Sequence, residues 1–243
     1  MEQTAGERQF DVLRLYGELV SDREDWSGAL VLACGSYAEI VPTPVSIANG
    51  ATLWLTEDAA EAKTAMRRGE VDFVVNTLDE ALRTLKNQVR QGRPLGVALT
   101  ADVPAALDEI AERGVLPDRM LQGSVSLASS IQARASVERL EASGMVFRLL
   151  MMKDTERWQR SMMILHRKRY YAYHVHAQSL PELREIDAQL LERLVEEDLA
   201  RRRWLQRVSR YLRDTPDGGR WVWLTEEEYQ ALPESWSVSP ESL

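Results

Sequence analysis

The sequence predicts an α/β protein: a doubly wound, mostly parallel, Rossmann-like sheet with a helical C-terminal extension. Three observations predict it. The runs ALVLAC (29–34), TLWLT (52–56), VDFVV (71–75) and LGVAL (95–99) are short and apolar on both faces, as strands covered by helices on each side must be. Helix-forming segments closed by glycine separate them, about 20 to 25 residues per unit, which is the rhythm of βαβ crossovers. Beyond residue 154 the strand pattern fades. The expected division is therefore a Rossmann-like domain over 1–153 and a mainly helical region over 154–243.

The chain opens with a helix over 8–20, where Phe10, Leu13, Leu15, Tyr16 and Leu19 fall near one stripe before the polar SDREDWSG link. EDAAEAKTAMRRGE reads as a helix closing at Gly69. TLDEALRTLKNQVRQG opens on the capping box Thr77-x-x-Glu80 and ends at Gly92. ADVPAALDEIAERG has Asp102 as its N-cap and Gly114 as its stop. A fifth strand is expected at RMLQ (119–122), a helix over SSIQARASVERLEASG, and a sixth strand at MVFRLLMM (145–152). DTERWQRSMMILHRKRYYAYHVHA then reads as a helix. A second opens at the capping box Ser179-x-x-Glu182 and carries an apolar face through about residue 213 that needs a partner surface. Pro216, Gly218 and Gly219 mark a turn, RWVWL a short strand with Trp221 and Trp223 expected on a core, and Thr225 with Glu228 a last helix cap.

Composition narrows the function classes. A hydrophobic fraction of 44% and a charged fraction of 28% are those of a soluble globular chain. The formal net charge of -8 speaks against nucleic acid or an anionic membrane as partner. No stretch is long and apolar enough to span a bilayer, and the N-terminus lacks the apolar core of a signal peptide. A single cysteine, Cys34, excludes an intrachain disulfide framework, so a reducing cytoplasmic setting is expected.

The order of segments from about residue 8 to 122 resembles the central NAD-binding domain of the urocanase (urocanate hydratase) family. VLACGSY leads through VPTPVSIANGA into TLWLTED, VNTLDEALRTL resembles the family's D-x-L-D-E-A-L segment, and RQGRPLGVALTADVPAALDEIAERGVLPD resembles its stretch ending L-x-R-G-x-x-P-D. The resemblance implies a Rossmann-like fold, NAD as cofactor and lyase chemistry. It places a ligand about Gly35, Ser36, Tyr37, Glu57 and Asp102, at the carboxyl ends of the strands. Glu57, 22 positions after Gly35, stands where such folds bring a carboxylate to a ribose; as a bare helix-start acid it would only favour the dipole of the next helix.

The chain departs from the family at the phosphate turn. Where the family has a run of the type G-L-G-G-M-G-G, this chain has Cys34, Gly35, Ser36, Tyr37, Ala38, Glu39 and Ile40. Tyr37 and Ile40 bring bulk and Glu39 brings charge to a place where glycine lets the backbone approach a pyrophosphate. Nothing after residue 154 resembles the family's catalytic regions. The expectation is a noncatalytic small-ligand-binding or protein-interaction module with no catalytic residue; the alternative is an NAD-dependent, urocanate hydratase-like lyase or subunit with a remodelled turn. Partners are expected to be a small molecule or dinucleotide, or a protein or second copy meeting the C-terminal helices.

Other chemistry has weaker support. G-x-S-x-G and G-x-x-x-x-G-K-[ST] are both absent. All three histidines lie in LHRKRYYAYHVHAQ; a strand would put His174 and His176 on one face, a helix would align His166, Tyr170 and His174. Neither arrangement has a clear third ligand, so no metal is expected.

Overall fold

The computed structural model describes residues 5–123, 130–150, 162–211 and 219–240. The chain divides into two compact units, Trp26–Lys153 and the pair of segments Met1–Asp25 and Asp154–Leu243.

The first unit is the Rossmann-like one. Its strands β1 (Leu30–Cys34), β2 (Ala51–Thr56), β3 (Phe73–Val75), β4 (Leu95–Thr100), β5 (Arg119–Gly123) and β6 (Val146–Leu150) form a six-stranded sheet in the order β3-β4-β2-β1-β5-β6. Every pairing in it is parallel. β1, β2 and β5 are buried along their whole length, which is why their sequences carry no polar alternation. Leu32, Leu53, Val97 and Leu99 point into a core shared with Leu85 of α4 (Leu78–Arg90), Leu107 and Ile110 of α5 (Val103–Glu112) and Leu140 of α6 (Ile131–Ala142).

The helix ends follow their capping chemistry. Asp58 caps α3 (Ala59–Arg68), accepting from the Ala60 and Glu61 amides, and Gly69 closes it at φ 78°. Thr77 caps α4 through the Glu80 amide, and the Glu80 carboxylate accepts from Asn76 rather than from the cap residue, a shifted form of the expected box. The segment after β1 differs in kind: a 3-10 turn (Ala38–Ile40) leads into α2 (Pro42–Ile47), only six residues long and wholly buried.

The second unit corrects the expected division in two ways. The N-terminal helix α1 (Ala5–Asp22) is grouped with the C-terminal segment, packing on β7 and β9, rather than with the Rossmann-like sheet. Among its described residues that C-terminal segment also carries an antiparallel sheet beside its helices. Residues 162–175, expected as helix, form the hairpin β7 (Met162–Leu165) and β8 (Lys168–Val175), turned by His166 and Arg167 at φ 50° and 67°. β9 (Arg220–Leu224) and β10 (Val238–Pro240) also pair antiparallel with β8. Burial explains the preference: Tyr170, Ala172, Tyr173 and Val175 are all buried in the sheet.

The expected long helix beyond Ser179 is broken into α7 (Leu180–Arg193) and α8 (Leu199–Tyr211), with Leu194 extended between them and Asp198 accepting from the Arg201 amide. The partner surface for the apolar stripe is internal, since Leu190, Leu194, Trp204 and Leu205 meet Val222, Trp223 and Leu224 of β9 around one small apolar void. α9 (Glu226–Gln230) carries the expected Thr225–Glu228 capping box. Residues 151–152 of the expected sixth strand, 154–161 of the expected helix, and Pro216 and Gly218 of the expected turn lie outside the described residues.

Candidate functional site

The parallel sheet brings the five expected site residues to one edge, Ser36 and Tyr37 following Gly35 in the turn after β1. Cys34 is in register with Leu55, and Thr56 with Thr100, so Gly35, Glu57 and Asp102 follow the carboxyl ends of the adjacent strands β1, β2 and β4. In open α/β sheets that edge is where ligands bind, at the point where successive connections leave in opposite directions. Here that point is β1, which has β2 on one side and β5 on the other.

Gly35 has φ +83°, a backbone angle that favours glycine, and Tyr37 also lies in the left-handed region at φ 64°. The turn so produced lies across the end of β5. A Cβ placed on Gly123 would stand 1.7 Å from the Ser36 carbonyl oxygen and 2.6 Å from its nitrogen. Only a residue without a side chain permits that approach. Of the two bulky residues expected there, Ile40 is 1% exposed and belongs to the core while Tyr37 stays in the turn, and the Ser36 backbone is what meets β5.

Glu57 does not attend the helix that follows it. Its Oε1 accepts from the Val103 amide, 3.4 Å away at the start of α5, while Asp58 caps α3. Asp102 caps α5 as expected, accepting from the Ala105 amide at 2.8 Å. Both carboxylates therefore serve the first turn of one helix. Because Pro104 has no amide hydrogen, the two acceptors meet the first-turn donors of α5. Asp102→Ala is expected to lower stability by about 1 kcal/mol, the worth of an N-cap, as read by chemical denaturation. No loss would mean that Glu57 satisfies the helix start alone.

A cleft of about 360 Å³ opens between α4 and α5. Its walls include Asn76, Thr77, Asp79, Leu99, Asp102 and Glu109. The guanidinium of Arg113 binds Asp79 at 2.5 Å and Glu109 at 2.5 Å, so this cation is engaged by two acids of the cleft. The hydrogen bond from Arg113 and its charge hold the Asp79 carboxyl below the usual range. The site is acceptor-rich, suited to a ligand that brings donors rather than phosphates. Sequence reasoning missed this cleft, although its signal was present: Thr77 and Asp102 are two caps after two strands, and β3 and β4 turn out to be neighbours.

Cys34 is buried at the end of β1, and burial pushes its thiol up to about 12, which leaves it protonated and a poor nucleophile. The histidines fall in the strand arrangement, with the rings of His174 and His176 4.4 Å apart. Among the described residues no group of three or more His, Cys, Asp or Glu could hold a metal ion. Nor is any described helix long and apolar enough to cross a membrane.

Comparison with protein families agrees with the segment order. Residues 14–130, just under half of the chain, match the family model described as the Urocanase Rossmann-like domain.

Proposed function

We propose that the urocanase Rossmann-like domain at residues 14–130 works in this chain as a noncatalytic small-ligand-binding module whose NAD site has been given up. The observation that carries this reading is the approach of the Ser36 backbone to Gly123. A pyrophosphate at a dinucleotide turn needs open space over the glycines and a helix N-terminus aimed at it. Here the space beside β5 is taken by backbone, and the following helix is a buried six-residue turn. NAD, which the domain type binds in general, does not fit residues arranged in this way, and Glu57 and Asp102 are engaged by α5.

The ligand is placed instead in the cleft between α4 and α5, where Asn76 and Asp102 meet the apolar Leu78, Leu99 and Ala101. Its volume, about 360 Å³, suits a small uncharged molecule with hydrogen-bond donors. The single buried thiol supports a reducing, cytoplasmic setting. In calorimetry, NAD is expected to give no binding heat at micromolar to millimolar concentrations. Micromolar NAD binding abolished by Glu57→Ala would overturn the loss of the site. The lyase alternative is checked by urocanate absorbance, which is expected to stay constant with or without NAD.

A further inference from the structure

We propose that His174 and His176 form an acid-sensitive latch that holds the C-terminal strand β10 against β8. β10 is three residues long, and its seat has few components. Val238, Ser239 and Pro240 pair with Val175, His174 and Tyr173; the His176 amide donates to the Ser237 carbonyl at 2.8 Å; and His176 Nε2 lies 3.0 Å from Ser239 Oγ. Each of these attachments involves His174 or His176. His174 is flanked in register by Ser239 of β10 and Trp221 of β9, so the three side chains share one face of the sheet.

The His174 imidazole must stay neutral for this packing to persist. Their rings meet edge to face with centroids 4.4 Å apart, and the indole of Trp221 lies 4.9 Å from His174 on the other side. A charge on half-buried His174 would be set between the His176 ring and the Trp221 indole. The charged groups acting on His174 have one sign: His176 and Arg220 of β9. The acid facing Arg220 is Asp187 of α7, and its two oxygens are held by that guanidinium. α1 brings the uncharged Gln9 and Phe10 to Trp221, and β10 brings Ser239. The Trp221 ring, 4.9 Å away, is a neighbour that favours a cation.

The direction of the pH effect follows from linkage. Burial first, then the charges of His176 and Arg220, hold the His174 imidazole down from 6.5 to about 4. Between those values the released state takes up a proton that the latched state excludes, so the latch is intact above the upper value and weakens as pH falls through the window. Release leaves that part of the β8 edge unpaired and able to accept another strand.

Hydrogen exchange of the full chain, corrected for the intrinsic pH dependence, tests this between pH 7.5 and 4. Peptides spanning 236–240 are expected to lose protection at a midpoint inside the window, while β8 and β9 remain protected. His174→Phe, which keeps a ring on Trp221, is expected to abolish the transition. His176→Gln, which keeps a hydrogen-bonding amide toward Ser239, is expected to move it to lower pH. Constant β10 protection down to pH 4, joint loss of β8, β9 and β10, or an unchanged transition in His174→Phe would each overturn the latch.

Discussion

Gly123→Ala is expected to destabilise the Rossmann-like unit by about 3 kcal/mol or more, at the upper end of what overpacking costs. The added Cβ would lie 1.7 Å from the Ser36 oxygen and 2.6 Å from the Ser36 carbonyl carbon and nitrogen, all of them backbone atoms. No rotamer change relieves such a collision; the turn from Gly35 to Tyr37 must move as a piece. Gly114→Ala is the useful contrast. Its φ of +64° strains an alanine, yet nothing stands within 4 Å of the new Cβ, so a loss of only about 1 kcal/mol is expected. Thermal or urea unfolding of the two variants reads the difference. Equal losses would show that Ser36 does not press on β5, and the argument against a pyrophosphate at that turn would go with it.

The second large effect is expected at Asp187, in the other unit. Arg220 is 1% exposed, and its Nε and Nη2 donate to the two Asp187 oxygens at 2.9 and 2.8 Å. Its third nitrogen, Nη1, is buried without a hydrogen-bond partner in the described structure, so the guanidinium already carries an unmet demand. Asp187→Ala would leave that charge wholly uncompensated inside the sheet. The expected cost is about 3–5 kcal/mol, the usual penalty for breaking a buried pair from one side. Asp187→Ala combined with Arg220→Met should recover most of it, because an apolar side chain asks for no partner. If the double variant is no more stable than the single one, the pair holds β9 to α7 by its geometry rather than by neutralising a buried charge.

The site was partly visible in the sequence. Gly35 after an apolar strand, and the departure of Cys34–Ile40 from the family's glycine run, are legible without any coordinates. Asp102 was read correctly as an N-cap because the cap signal is local, set by a side-chain oxygen and an amide three residues on. Glu57 was not: whether it faces a ribose, its own helix or α5 depends on the pairing of β2 with β4, which no local pattern encodes. The meeting of Ser36 with Gly123 was hidden for the same reason, since it joins the ends of two strands far apart in the chain.

The hairpin at 162–175 shows where periodicity fails. Its turn, His166-Arg167, takes positive φ at both residues without the Asn-Gly signal that usually marks such a turn. Met162–Leu165 and Lys168–Val175 were therefore read as one continuous helical stretch. Burial of Tyr170 opposite β7 and of Tyr173 opposite β9 outweighs the helical tendency of that stretch, a tertiary override of a weak local preference.

By itself, then, the sequence determined the alternation of strand and helix from Leu30 to Leu150, the caps at Thr77, Asp102, Ser179 and Thr225, and the departure of residues 34–40 from the family's glycine run. These depend on residues within a few positions of one another, where side-chain type and backbone hydrogen bonding act directly. Only the tertiary structure decided the strand order, the grouping of α1 with the C-terminal sheet, the closure of Ser36 on Gly123 and the pairing of His174 with β10. Each of those is a contact between distant segments, chosen by which surfaces bury together, and burial becomes defined only when the chain has folded.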